Sequence, residues 1–158
     1  MPSRRTIPTA FPLSTDRLPR LLLLLGGLLG LAAPAGAATL TVNSLTDVIG
    51  GSDCTLRDAI TAANTDAVAR GCAAGSGADL IVFDPALTAG GDATITLSTI
   101  GNSLAGLAAF GITSVITIQG PTGTHGLTLD ASGAVMRHFN VAATGSLTLE
   151  YLTLTGGQ

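Results

Sequence analysis

The sequence predicts an all-β chain: a solenoid of short parallel strands, a parallel β-helix, closed at its N-terminal end by an α-helical cap. Three observations carry this. One tripeptide, aliphatic–Thr–aliphatic, recurs at Ile95-Thr96-Leu97, Ile116-Thr117-Ile118, Leu127-Thr128-Leu129, Leu147-Thr148-Leu149 and Leu152-Thr153-Leu154. In a strand the two aliphatics share one face and Thr takes the other. The first two copies lie 21 residues apart and the third and fourth 20 apart, a period of solenoid size. The competing fold, an antiparallel sandwich, favours tight Asn-Gly hairpins, and the chain contains no Asn-Gly pair.

The elements follow in order. Four of the seven basic residues, Arg4, Arg5, Arg17 and Arg20, precede an apolar run from Leu21 to Ala33, and Ala35-Gly36-Ala37-Ala38 follows. Basic, apolar and small-residue regions in that order read as an export signal over residues 1–37, cleaved after Ala37 or, as second candidate, Ala38. The run is shorter than the ~20 residues a spanning helix needs, so no membrane span is expected in the mature chain. Residues 38–78 then read as an N-terminal cap region. Thr39-Leu40-Thr41-Val42 is a strand, and the stretch from Asn43 to Asp53, with Gly50 and Gly51, is a loop. A helix is expected from Thr55 to about Ala69, with Thr55 as N-cap and Asp58 completing a shortened capping box. Leu56, Ala59, Ile60 and Ala63 form its apolar face, and Gly71 is placed to stop it. Gly75-Ser76-Gly77 bridges to residues 79–158, the first coils of an incomplete solenoid.

Within those coils Leu80-Ile81-Val82-Phe83 is a buried strand ended by Asp84-Pro85, and Gly120-Pro121, Gly123 and Gly133 mark turns. The last two tripeptides are only 5 residues apart, an odd spacing. One straight strand cannot keep both on one face, so a corner is expected at Glu150-Tyr151. The strands suffice for little more than two coils, fewer than a solenoid needs for stability. The chain is therefore expected to be part of a longer one.

Beyond the signal three arginines, Arg57, Arg70 and Arg137, face nine acids, a net charge of −6 with no lysine. Nucleic acid as a partner is excluded by this balance. Anionic polysaccharide also fits poorly unless calcium bridges the charges, and with no Trp an aromatic sugar-stacking platform is missing. Cys54 and Cys72 are the two cysteines. In an exported chain they read as one disulfide, closing 18 sequence steps and stabilising by roughly 3 kcal/mol. A metal site and a reactive thiol are the alternatives; no histidine lies near either cysteine in sequence, and two thiolates do not complete a zinc shell.

The run Cys54-Thr55-Leu56-Arg57-Asp58-Ala59, the preceding T-V-N-S and the following D-L-I-V-F-D-P resemble the CSLREA domain over roughly Thr39 to Asp84. Thr55 stands where the domain's letters have Ser, and Asp58 where they have Glu; both keep the capping chemistry. The resemblance implies a right-handed parallel β-helix behind the cap, in an exported surface or secreted protein of adhesin or outer-membrane type. The later strands are similar in pattern to pectate-lyase-like β-helices. No catalytic residues belong to the CSLREA front end. Cysteine staples, Thr caps, Leu56 and Ala59 pack, and Arg57 pairs with a nearby acid.

Candidate chemistry is sparse. Asn64-Thr65-Asp66 matches a tripeptide of β-helix polygalacturonases, but it falls at the predicted helix end without the further acids glycoside hydrolysis needs. Asp84, Asp92 and Asp130 with Arg137 are the only material for a lyase site, and the acids sit singly at turns. Asp47 and Asp53 are weak calcium candidates. His125 and His138 lie thirteen apart in sequence, with no metal-ligand spacing around them. No catalytic residue and no resident cofactor are expected. The expected role is a non-enzymatic, exported β-helix segment that contacts polysaccharide or cell-surface glycans. Its open end would be covered by downstream coils or self-association. The rival is the front of a polysaccharide lyase or hydrolase whose active site lies beyond Gln158.

Overall fold

The structure, a computed structural model, describes residues 36–158. Most of the export-signal reading over residues 1–37 therefore lies outside the described residues. The described chain is mainly β, with parallel sheets and one α-helix. Strand β1 (Thr39–Val42) leads through a long loop to helix α1 (Leu56–Thr65). Eight strands follow: β2 (Ala78–Phe83), β3 (Ala93–Thr96), β4 (Ala108–Ile112), β5 (Val115–Gln119), β6 (Leu127–Ala131), β7 (Arg137–Val141), β8 (Ser146–Glu150) and β9 (Leu152–Gly156). They form sheets ordered β1-β2-β5-β8, β3-β6-β9 and β4-β7, and every pairing is parallel.

From β2 onward the chain visits the three sheets in strict rotation, so each strand pairs with the one three along. The register stacks like on like. Leu40, Ile81, Ile118 and Leu149 form one aliphatic ladder; Ile95, Leu129 and Leu154 form another. Phe110 lies opposite Phe139 with ring centroids 5.5 Å apart. Inward residues from all three sheets and from α1 make a single core.

The period read from sequence is corrected by this register. Partner strands are 31 residues apart at Gln119 and Glu150, and 25 apart at Asp130 and Thr155. The 20- and 21-residue spacings instead join β3 to β5 and β6 to β8, which belong to different sheets. Each spacing crosses two of three faces. The first tripeptide is also out of step: Thr94, not Thr96, lies opposite Thr128, which in turn lies opposite Thr153.

The predicted corner is present. β8 ends at Glu150, β9 begins at Leu152, and Tyr151 between them has φ 53°. The corner one layer below is Gly120, where an added Cβ would overlap the Tyr151 carbonyl oxygen. Only a residue without a side chain fits beneath that turn.

The helix is shorter than expected. It stops at Thr65, with Asp66 as C-cap at φ 49°, its N–H bonded to the Ala62 carbonyl. Asp tolerates this left-handed conformation better than most residues. Gly71 does not end the helix. A Cβ there would overlap the Ser52 carbonyl oxygen, so Gly71 allows the chain to press against the loop before Cys54. The strand β1 hydrogen-bonds to β2, which places the cap region and the first strands in one sheet.

Candidate functional site

The chemistry-bearing residues gather at two places: the cap around α1 and a groove beside the β5–β6 connection. The cap is built from the run singled out in the sequence. Cys54 and Cys72 form a disulfide with Cα atoms 4.6 Å apart. Thr55 is the N-cap: its hydroxyl oxygen accepts from the Asp58 amide at 3.1 Å, while the hydroxyl donates to the Asp58 carboxylate at 2.8 Å. The short Asp side chain thus engages the Thr55 hydroxyl, where the longer Glu of a usual capping box engages the N-cap amide. Asp58 is fully buried, and its other oxygen accepts from Arg70 at 2.7 Å, inside the disulfide loop. Leu56, Ala59, Ile60 and Ala63 are buried against the core.

Arg57 is the centre of the cap. Its side chain is 9 % exposed and that of its partner Asp47 2 %. Nε and Nη2 donate to Asp47 Oδ1 at 3.0 and 2.5 Å. Nη1 donates to the Ala109 carbonyl at 2.7 Å, and Nη2 also donates to the Thr99 carbonyl at 2.8 Å. The guanidinium carbon sits 4.8 Å from the Phe110 ring centroid, within cation–π range. Asp47 Oδ2 accepts from the Ser98 and Thr99 amides at 2.8 and 2.9 Å. One ion pair therefore joins the loop after β1, the helix, the β3–β4 connection and β4.

Of the two calcium candidates, Asp47 is held in this pair, its oxygens accepting from the Arg57 guanidinium and from two amides. Asp53 is exposed, with its Oδ1 accepting from Ser52. No cluster of three potential metal ligands occurs among the described residues.

The Asn64-Thr65-Asp66 match also has structural roles. Asn64 donates to the Gly111 carbonyl at 2.8 Å and accepts from the Thr113 amide at 2.8 Å, tying α1 to the β4–β5 turn. Thr65 donates to the Thr61 carbonyl, and Asp66 caps the helix. The lyase candidates are used separately. Asp84 caps a single 3-10 turn through the Ala86 amide, Asp92 accepts from the Gly126 amide, and Arg137 donates to the Ala105 carbonyl. Asp130 accepts from the Ser132 amide at 2.8 Å and from the Thr155 hydroxyl at 3.2 Å. No two of these four are hydrogen-bonded or ion-paired to each other among the described residues. His138 Nε2 lies 3.1 and 3.0 Å from the Leu129 and Thr155 carbonyls.

The groove holds about 500 Å³. Phe83 and Pro85 contribute apolar surface, and Gln119, Thr122, Thr124 and His125 contribute amide, hydroxyl and imidazole groups. His125 Nδ1 stands 3.6 Å from Asp92 Oδ1. Sequence reasoning treated these two residues separately. They meet because Ala93 lies opposite Leu127, which stacks the residues just before β3 and β6.

No protein-family model, curated protein or solved structure matches the chain.

Two expected results follow from these contacts. Reducing the Cys54–Cys72 bond removes a link across 18 residues and lowers stability by roughly 3 kcal/mol on the loop-entropy model. Thermal melts with and without reductant measure it. A Cys54→Ser, Cys72→Ser chain that melts with the oxidised wild type would show the link to be dispensable. Asp130 is held below the usual carboxylate range by hydrogen bonds from Ser132, first its side chain and then its amide, with Thr155 and His138 adding to the effect. A lowered folded-state pKa gives stability that is present above the unfolded value of ~3.9 and lost as pH falls through the folded value. The Asp130→Asn chain is therefore expected to show a smaller loss of melting temperature than wild type between neutral and strongly acidic pH.

Proposed function

We propose that this chain is a right-handed parallel β-helix segment, capped by a CSLREA-like front end, of an exported, non-enzymatic surface protein of adhesin type. The observation that carries the reading is the rotation of β2 to β9 through three parallel sheets. From β2 onward each connection between paired parallel strands passes through the other two sheets, and parallel crossovers are right-handed in nearly all cases. The cap supports the CSLREA-like assignment. Each polar residue of the C-T-L-R-D run has a structural partner, so the run needs no catalytic role to account for it.

The groove supports a binding role. Amide and hydroxyl groups over a partly apolar floor match the hydroxyls and ring faces of a saccharide. The net charge of −6 beyond the signal disfavours anionic glycans, so neutral glycans are the proposed partners. The β8 and β9 end is the proposed surface for stacking a further β layer. Ile116, Ile118, Leu127 and Leu129 are buried in the inner layers, whereas Leu147, Leu149 and Leu152, opposite Ile116, Ile118 and Leu127, are half-exposed.

The test is a glycan array probed with the exported protein, followed by titration of the best neutral ligand against Gln119→Ala and His125→Ala. Binding that weakens in both variants, with no cleavage of the glycan, is the expected result. Release of reducing ends or unsaturated sugars by the wild-type chain overturns the non-enzymatic reading.

A further inference from the structure

Asp79 is a buried carboxylate, one oxygen of which lacks a donor among the described residues. It is 2 % exposed. Oδ1 accepts from the Ser76 amide at 2.8 Å and from the Ala38 amide at 3.2 Å. Oδ2 is buried and has no hydrogen-bond partner among the described residues. A carboxylate oxygen removed from water without a donor carries a substantial desolvation cost, so its position calls for a cation. Arg57 and Arg70 are engaged by Asp47 and Asp58, and Arg137 bonds the Ala105 carbonyl. The space beside Oδ2 is kept open by Gly75, where an added Cβ would lie 2.7 Å from Oδ2 and 2.6 Å from the Ala62 carbonyl oxygen.

One of the two amides that touch this carboxylate is that of Ala38, and Ala38 is the first residue left after the leading cleavage site. We infer that Asp79 is the receptor for the α-ammonium group released on Ala38 when the leader is cut after Ala37. This rests on the export reading. The step is a hydrolysis by a leader peptidase. Water adds across the Ala37–Ala38 peptide bond; hydroxyl goes to the Ala37 carbonyl carbon, which leaves as a carboxylate. The Ala38 nitrogen takes up protons to become an ammonium. One amide donor is then replaced by three N–H donors and a positive charge. The ammonium keeps its bond to Oδ1 and has donors left for Oδ2 beside it.

The structure also separates the two candidate cleavage sites. The Ala38 carbonyl accepts from the Leu80 amide at 2.9 Å and extends the β1–β2 ladder. Cutting after Ala38 would remove both that bond and the donor to Asp79. Cutting after Ala37 keeps the first and strengthens the second. Among the described residues Asp79 has only amide partners, and cleavage would set a positive charge against it. The cap is thereby completed after export.

The sequence supplies a clean assay, because the chain has no lysine. The α-amine is its only primary amine. The full chain, leader included, is expressed in an exporting bacterial host as wild type and as Asp79→Asn. N-terminal sequencing is expected to read Ala38-Thr39-Leu40. An amine-acylating reagent is then expected to label the folded wild type about tenfold more slowly than Asp79→Asn, the change that one pKa unit brings. Denatured wild type should label as fast as the variant. An exported chain that begins at Ala38 but labels equally fast folded and denatured overturns the receptor role. A first residue other than Ala38 overturns the inference through the cleavage reading instead. If Asp79→Asn does not fold, the folded-against-denatured comparison in the wild type decides alone.

Discussion

Replacing Arg57 by Ala is expected to lower the stability of the fold by about 3–5 kcal/mol, the cost of leaving a buried charge without its partner. That is a large fraction of the stability of an ordinary domain. The magnitude follows from Asp47, whose side chain is 2 % exposed and keeps two amide donors but loses its cation. The carbonyls of Thr99 and Ala109 lose their donors in the same step, and Phe110 loses the guanidinium over its ring. Arg57→Lys is expected to recover only part of the loss. A single ammonium does not reproduce the planar fork that reaches a carboxylate and two carbonyls at once. Replacing both charges together, Arg57→Met with Asp47→Leu, should cost less than Arg57→Ala alone, because no buried charge is left uncompensated. Urea unfolding of the three chains measures this order. A loss below about 1 kcal/mol for Arg57→Ala would put the pair in the class of surface salt bridges and sink the account of the cap.

The same cap shows what was legible in the sequence. Thr55 as N-cap and the buried face of Leu56, Ala59, Ile60 and Ala63 are chain-local: propensity, spacing and capping act within a few residues. The disulfide was legible because a chain with two cysteines, read as exported, leaves one pairing. Asp47 as the partner of Arg57 was not, because the glycine-rich loop carries no periodicity to fix where its acids point. The end of the helix was misplaced for a related reason. Gly71 was the conspicuous breaker, but the turn is made at Asp66, where the chain must double back to bring Cys72 to Cys54.

The strands divide in the same way. The five tripeptides announce themselves by alternation, and the corner at Tyr151 follows from parity alone. β4 and β7 went unread. Ala108–Ile112 is apolar on both faces, with the burial of a strand under α1, and Arg137–Val141 mixes charged, aromatic and aliphatic residues. Neither shows the Thr-centred pattern. Missing the third sheet made a spacing of 20 residues look like the full repeat, when it spans two faces of three. Asp79 stood out in the sequence only as one of nine acids and the first letter of D-L-I-V-F-D-P. The burial and the orphaned oxygen that give it a role arise from packing of Gly75 and Ala38 around it, contacts that no local pattern encodes.

The stacking of like residues makes a second large effect separable by layer. Leu129 is fully buried, with Ile95 on one side of it in the ladder and Leu154 on the other. Leu129→Ala removes a side chain from between two packed neighbours and is expected to cost about 2–5 kcal/mol, the range for Leu-to-Ala changes in a core. Leu154 lies in the same ladder but is 42 % exposed. There the same substitution deletes surface that is partly in water and leaves no closed cavity, so the expected cost is about 1 kcal/mol or less. Guanidinium unfolding of the two variants under identical conditions reads the difference directly. The contrast also bears on what covers β8 and β9. If Leu154→Ala costs as much as Leu129→Ala, the Leu154 face is covered in solution, and sedimentation at several concentrations then distinguishes a second copy from an intramolecular cover. If the costs separate as expected, the ladder ends in solvent at this layer, and its outward leucines form the surface on which another β layer would stack.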